Sequence, residues 1–230
     1  MKFLMPVCCL FLSCPLFAAE NPVSVLQTQE APYIETTPVE DLMREHGVLR
    51  RILLIYEEIS RRIDNQIDFD ANLLQNSANI IRTFIENYHE KLEEEYLFPV
   101  FIKKEQLVDL VIMLKAEHMV GRLITGSILA QLHAANLQHP ENLKALQENL
   151  KKFINLYRPH AAREDTVLFP AFKKLISKKT YDELGELFEK REQALFGPDG
   201  FENMVNRVAA IEQALNIYAL KAQSEDREKI

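Results

Sequence analysis

Two short blocks of this sequence carry residues suited to metal chemistry. His89 and Glu93 stand four apart, as do His160 and Glu164. In a helix that spacing puts both side chains on one face, one turn apart. Each block therefore presents an imidazole nitrogen and a carboxylate to a common point. Two further histidines, His46 and His118, lie on apolar helical stripes, each directly after a glutamate, Glu45 and Glu117. The six residues His46, His89, Glu93, His118, His160 and Glu164 offer four nitrogens and two carboxylates. A carboxylate can bridge two cations and an imidazole cannot. The expected arrangement is two metal ions, two bridging glutamates and two histidines on each metal, with the pairing of the histidines left open. Imidazole and carboxylate without thiolate suit iron; manganese or zinc fits the same donors.

The blocks belong to an internal repeat. The stretch His89-Glu-Lys-Leu-Glu93-Glu-Glu-Tyr-Leu-Phe-Pro-Val-Phe101 aligns without gaps to His160-Ala-Ala-Arg-Glu164-Asp-Thr-Val-Leu-Phe-Pro-Ala-Phe172, with six of thirteen positions identical. His46 precedes His118 by 72 residues and His89 precedes His160 by 71. A lone histidine on an apolar face is more often a hydrogen-bonded core residue than a ligand. Here four of the six histidines occupy repeat-related positions. A repeat kept only for packing would have little reason to bury two glutamates, which are expensive to bury unless paired or ligated. His133 and His139 lack repeat partners and are expected at the surface. Glu45 and Glu117 adjoin ligands and are expected to point aside. Glu90 and the run Glu93-Glu94-Glu95, apart from the ligand, read as solvated helix faces. Glu86-x-x-His89 is half of a ferritin-like carboxylate motif whose other half is missing, because Tyr157 holds that position before His160. Tyr88 and Tyr157 are candidates for hydrogen bonds behind the ligands.

Helices must position these residues. Thr37-Pro38-Val39-Glu40 reads as a capping box with proline in the first turn, and Leu42, His46, Leu49, Leu53 and Tyr56 follow at helical spacing. A second helix is predicted from about Asp70 to Glu95, stopping near Phe98-Pro99. A third is predicted from about Glu105 to His133. A fourth is predicted from Pro140 to about Asp165, kinked at Pro159 and ended by Phe169-Pro170. Two more follow, one capped by Thr180-x-x-Glu183 and ending at Gly197, the other covering about Gly200 to Ala222. No strand is predicted. The fold class is all-α: two like helix pairs forming an up-and-down four-helix bundle, with two additional C-terminal helices.

The expected organisation is a signal peptide at 1–19, a flexible leader at 20–37, the metal bundle at 38–176, a helical extension at 177–222 and a tail at 223–230. Lys2, the apolar run Phe3 to Leu12 and the small residues before a polar segment describe the signal peptide. The run is short for a membrane span, so none is expected after cleavage. The chain is expected to be exported, most simply to a periplasm; lipidation at Cys14 is the alternative. Cleavage would remove Cys8, Cys9 and Cys14, which are all the cysteines. That excludes disulfides and cysteine chemistry in the remainder. It would also remove Lys2 and no acid, making a net charge of −7 one unit more negative. An acidic chain without a basic cluster is a poor nucleic-acid partner.

On these residues the chain resembles the hemerythrin-like, or HHE cation-binding, family over about residues 38–176. The resemblance implies a bundle around a non-haem di-iron centre and a small partner: oxygen, nitric oxide or peroxide, with an unidentified redox partner for any turnover. Oxygen-carrying members have a fifth histidine one turn after the third-helix histidine, where this chain has Arg122. They also end with His and Asp five apart, where this chain has His160 and Glu164. The ligand pattern is closer to the di-iron domain of iron–sulfur-cluster repair proteins, without their cysteine-containing N-terminal domain. Fewer protein ligands imply open metal positions, favouring a protein that binds or senses oxygen, nitric oxide or iron, or an enzyme that reduces nitric oxide or peroxide.

Overall fold

Helix α1, Pro38–Asp64, begins as its sequence demands. Thr37 accepts a hydrogen bond from the Glu40 amide, and the Glu40 carboxylate accepts one from the Thr37 amide. The box satisfies two of the amides that a helix start leaves without partners. Leu42, His46, Leu49, Leu53 and Tyr56 face the core as one buried stripe. The computed structural model describes residues 37–134, 137 and 139–218. The expected signal segment, the leader up to residue 36 and the tail lie outside the described residues.

Helix α2 runs over residues 71–103 and differs from expectation. It does not stop at Phe98-Pro99. It passes through two wide π turns, Ile81–His89 and Glu93–Leu97, and continues as Phe98–Lys103. Helix α4, residues 140–175, does the same: a π turn at Glu164–Leu168 leads into Phe169–Leu175. A proline inside a regular helix removes a hydrogen bond and crowds the preceding turn. A π turn just before it resets the register, so Pro99 and Pro170 enter as first-turn residues of a new α segment, where the missing N–H does no harm. Pro159 lies within the Pro140–Arg163 segment.

Helix α3 is Val108–Ala134. It starts three residues later than expected because Glu105 and Leu107 adopt positive φ, 53° and 50°, in the turn after α2. Helix α1 packs on α2, α2 on α3, α3 on α4 and α4 back on α1. Consecutive helices are neighbours, as an up-and-down bundle requires. Helices α5, Lys178–Phe196, and α6, Gly200–Ala214, pack on α1, and α6 also on α2. The α5 cap is Ser177, which accepts from the Thr180 amide, rather than Thr180 itself. Gly197 closes α5 with φ of 84°, a conformation costly for any residue with a Cβ. Phe196 places its edge against Phe84 and Tyr88 at 5.4 Å from each. Among the described residues there is no strand, and no helix is long and apolar enough to cross a membrane.

Candidate metal centre

The bundle brings all six predicted residues to one buried place. The Nε2 atoms of His46 and His89 stand 3.1 Å apart, as do those of His118 and His160. The pairing left open by the sequence is therefore α1 with α2 and α3 with α4. Glu93 and Glu164 lie between the pairs. Glu164 approaches the Nε2 atoms of His46 (3.3 Å) and His160 (3.1 Å). Glu93 approaches those of His118 (3.4 Å) and His89 (3.7 Å). Each glutamate thus reaches one histidine of each pair, the placement a bridging carboxylate needs.

A further ring of carboxylates holds the imidazoles from behind. The Nδ1 of His46 faces Asp165 at 2.8 Å, that of His89 faces Glu45 at 2.6 Å, that of His118 faces Glu94 at 3.1 Å and that of His160 faces Glu117 at 2.8 Å. A proton on each Nδ1, shared with its carboxylate, leaves the Nε2 lone pair aimed inward. Arg50 pairs with Asp165, and Arg122 pairs with Glu94 at 2.7 Å and Glu90 at 2.7 Å. Each of these arginines stands one turn after a histidine of the cluster, His46 or His118. The arrangement repeats across the two halves. The residue before each α1 or α3 histidine holds the histidine of the next helix. The residue after each glutamate holds the α1 or α3 histidine of the other helix pair.

These carboxylates correct several expectations. Glu45 and Glu117 do not point aside, because their helices turn them onto the neighbouring helix's histidine. Glu94 is no solvated face, and Glu90 is buried, accepting a 2.6 Å hydrogen bond from the Tyr157 hydroxyl. The missed signal lay in the repeat: Glu-His recurs at 45–46 and 117–118, and an acid follows Glu93 and Glu164 in both copies. Glu86, though buried, pairs with Arg82 at 2.6 Å. His133 and His139 are exposed, away from the site.

The repeated Leu-Phe-Pro also acquires a role. Phe169 stacks on His46 (5.4 Å, 21°) and Phe98 on His118 (5.6 Å, 22°). Phe101 and Phe172, equivalent in the repeat, meet each other at 6.1 Å. The π turns that precede these residues set where the phenyl rings fall.

The donor set fits metal ions. Both oxygens of Glu93 and of Glu164 are buried without a hydrogen-bond partner. Such groups carry a penalty unless something cationic reaches them. Nitrogens 3.1 Å apart match two donors to one ion at bond lengths of about 2.1 Å. His118, His160, Glu93 and Glu164 bring ligand atoms within 4.8 Å of one another, as do His46, His89 and Glu93.

Without metal, protons take part of that role. Burial opposes a charge on His46, but Asp165 and Glu164 outweigh it and push its pKa up to about 9. His160 reaches about 9 by the same balance, with Glu164 and Glu117 against burial. His118 is raised well above its ordinary value, burial being outweighed by Glu90, Glu93 and Glu94. His89 is held well below by burial and the His46 charge. Burial and the Glu164 charge push Glu93 up to about 7. Against burial, His160 and His46 hold Glu164 well down.

Comparison with known proteins agrees with this geometry. The hemerythrin HHE cation binding domain matches residues 37–173. An uncharacterized protein of Mycobacterium tuberculosis is 43% identical over 192 residues, covering 84% of this chain and 74% of its own length; one of Mycobacterium bovis matches to the same extent. No solved structure matches the chain. With four histidines and two glutamates gathered inside a four-helix bundle, this chain belongs to the hemerythrin HHE cation-binding domain family.

Proposed function

We propose that this chain is an exported non-haem di-iron protein that binds or senses oxygen, nitric oxide or iron. The ligands are His46 and His89 for one ion, His118 and His160 for the other, and Glu93 and Glu164 between them. The observation that carries this reading is the pair of converging Nε2 couples around two buried carboxylates with no other partner. Iron held by these residues would supply ligand exchange and one-electron redox chemistry. The chain's own residues supply the rest: the four outer carboxylates orient the rings, and Phe98 and Phe169 exclude water from two of them. Arg122 stands where oxygen carriers have a fifth histidine. It is engaged with Glu90 and Glu94, so that position adds no ligand.

Anaerobic loading with ferrous iron followed by metal analysis tests the reading. About two irons per chain are expected, and fewer than about one overturns it. Export is tested separately by locating the protein in cell fractions and sequencing its mature N-terminus.

A second reading, a di-iron enzyme that reduces nitric oxide or peroxide, draws on Glu90 and Tyr157. A Glu90 oxygen lies within 4.8 Å of a His118 nitrogen, and Tyr157 donates to Glu90. Together they form a buried proton-carrying pair beside the centre, as reduction of either substrate requires. Stopped-flow mixing of the diferrous protein with nitric oxide and an electron donor separates the readings: repeated turnover supports the enzyme, a stable adduct the binding protein.

A further inference from the structure

The two halves match in the carboxylate behind each imidazole, but they differ in what meets the second oxygen of one of those carboxylates. Glu117 spends Oε2 on His160, and its Oε1 is met by Arg163 at 3.4 Å. Its repeat equivalent, Glu45, spends Oε2 on His89. The residue equivalent to Arg163 is Leu92, so no arginine arrives from α2. Glu45 Oε1 is fully buried with no hydrogen-bond partner. The Tyr88 hydroxyl lies beside the Glu45 carboxylate and also reaches the Phe188 carbonyl, 3.4 Å away; it brings Glu45 no positive charge.

Other acids stand where a cation is wanting. Asp41, one turn before Glu45, replaces Met113 of the other half. Glu192 comes from α5, outside the family domain. One carboxylate oxygen from each of Asp41, Glu45 and Glu192 lies within 4.8 Å of the others. Glu192 is held in place by the Phe201 amide at 2.8 Å, and Gly200 makes room for it, since a Cβ there would fall 2.8 Å from Glu192 Oε1. Arg44 reaches Asp41 at 3.4 Å but is shared with Glu202 at 3.6 Å. Like charges this close stay together only if a proton or a cation joins them.

We propose that Asp41, Glu45 and Glu192 form a third metal site, taking one hard divalent cation beside the dinuclear centre, in the place that Arg163 fills in the other half. All-carboxylate donors select Mg2+, Ca2+, Mn2+ or Fe2+ over softer ions. Asp41 and Glu192 are partly exposed, and Glu45 joins the site to His89.

Mn2+ titration followed by electron paramagnetic resonance tests this in the full chain, first loaded with iron. About one additional Mn2+ per chain is expected, with affinity falling about tenfold or more in Glu192→Gln and in Asp41→Asn/Glu192→Gln. Both variants leave the dinuclear ligands intact. No additional Mn2+, or binding unchanged in the variants, overturns the proposal. The iron count of the same samples reports on the dinuclear centre separately. Should that centre take up no iron, the difference in Mn2+ bound between wild type and variants still decides the third site.

Discussion

At the scale of single residues, the centre depends on which nitrogen of each imidazole faces inward. Outer carboxylates decide this through Nδ1. Replacing Glu117 with Gln removes the charge behind His160 and should weaken metal retention by about 10- to 100-fold. Competition with a chelator measures the loss, and an unchanged helical circular dichroism spectrum shows that the fold survives. Gly121 matters for a different reason: a Cβ there would lie 2.0 Å from the Tyr157 hydroxyl. Gly121→Ala should displace Tyr157, break its bond to Glu90 and lower stability by about 1–3 kcal/mol, as overpacking does. Chemical denaturation of the two proteins reads that difference. Protons compete with metal at the imidazoles. In the metal-free protein His46 and His160 hold protons below about 9, so metal entering at pH 7 must expel them. Binding should release protons to a pH indicator dye, and retention should weaken as pH falls.

At the scale of elements, the π turns couple the ligand pairs to the aromatic rings beyond them. The turns Glu93–Leu97 and Glu164–Leu168 each begin at a glutamate of the candidate centre and end just before a phenylalanine that stacks on a histidine. The extra residue in the turn sets that alignment. Deleting the exposed Thr166 would restore a regular helix and rotate everything after it by about 100°. Phe169 would leave His46. Metal binding should be lost and the melting temperature should fall sharply. Thr166→Ala, which keeps the chain length, should change stability by no more than about 0.5 kcal/mol. Comparing the two variants by thermal melting separates the register effect from the loss of one side chain.

At the scale of the whole molecule, four histidines and two glutamates occupy what would otherwise be hydrocarbon core. A bundle built this way is stabilised by whatever binds its centre. At an ion concentration about a thousand times the Kd, the gain is about 4 kcal/mol. Calorimetry before and after chelation should show a clear drop in melting temperature on metal removal; equal melting curves would mean that the centre contributes nothing to the fold. The extension adds to the same mass. Arg51 on α1 joins Glu212 on α6 at 2.7 Å, and the aromatic ring of Phe196 closes over Phe84 and Tyr88.

Much of this was legible in the chain itself. Helical spacing of apolar residues and the capping box at Thr37 gave the bundle. The repeat with its four-residue His-to-Glu spacing gathered the six central residues, because that spacing is a local property of any helix. Other features depended on which helices become neighbours, which local spacing does not encode. The pairing of His46 with His89, and the turning of Glu45 and Glu117 onto the next helix, are of this kind. So is the meeting of Asp41 with Glu192 across 151 residues. The passage of α2 and α4 beyond their prolines was hidden for a related reason: a π turn leaves no mark in composition and forms where tertiary packing asks for it. Sequence determined the donors and the faces they share; packing between helices decided how they pair, what stands behind them and where the two halves part company.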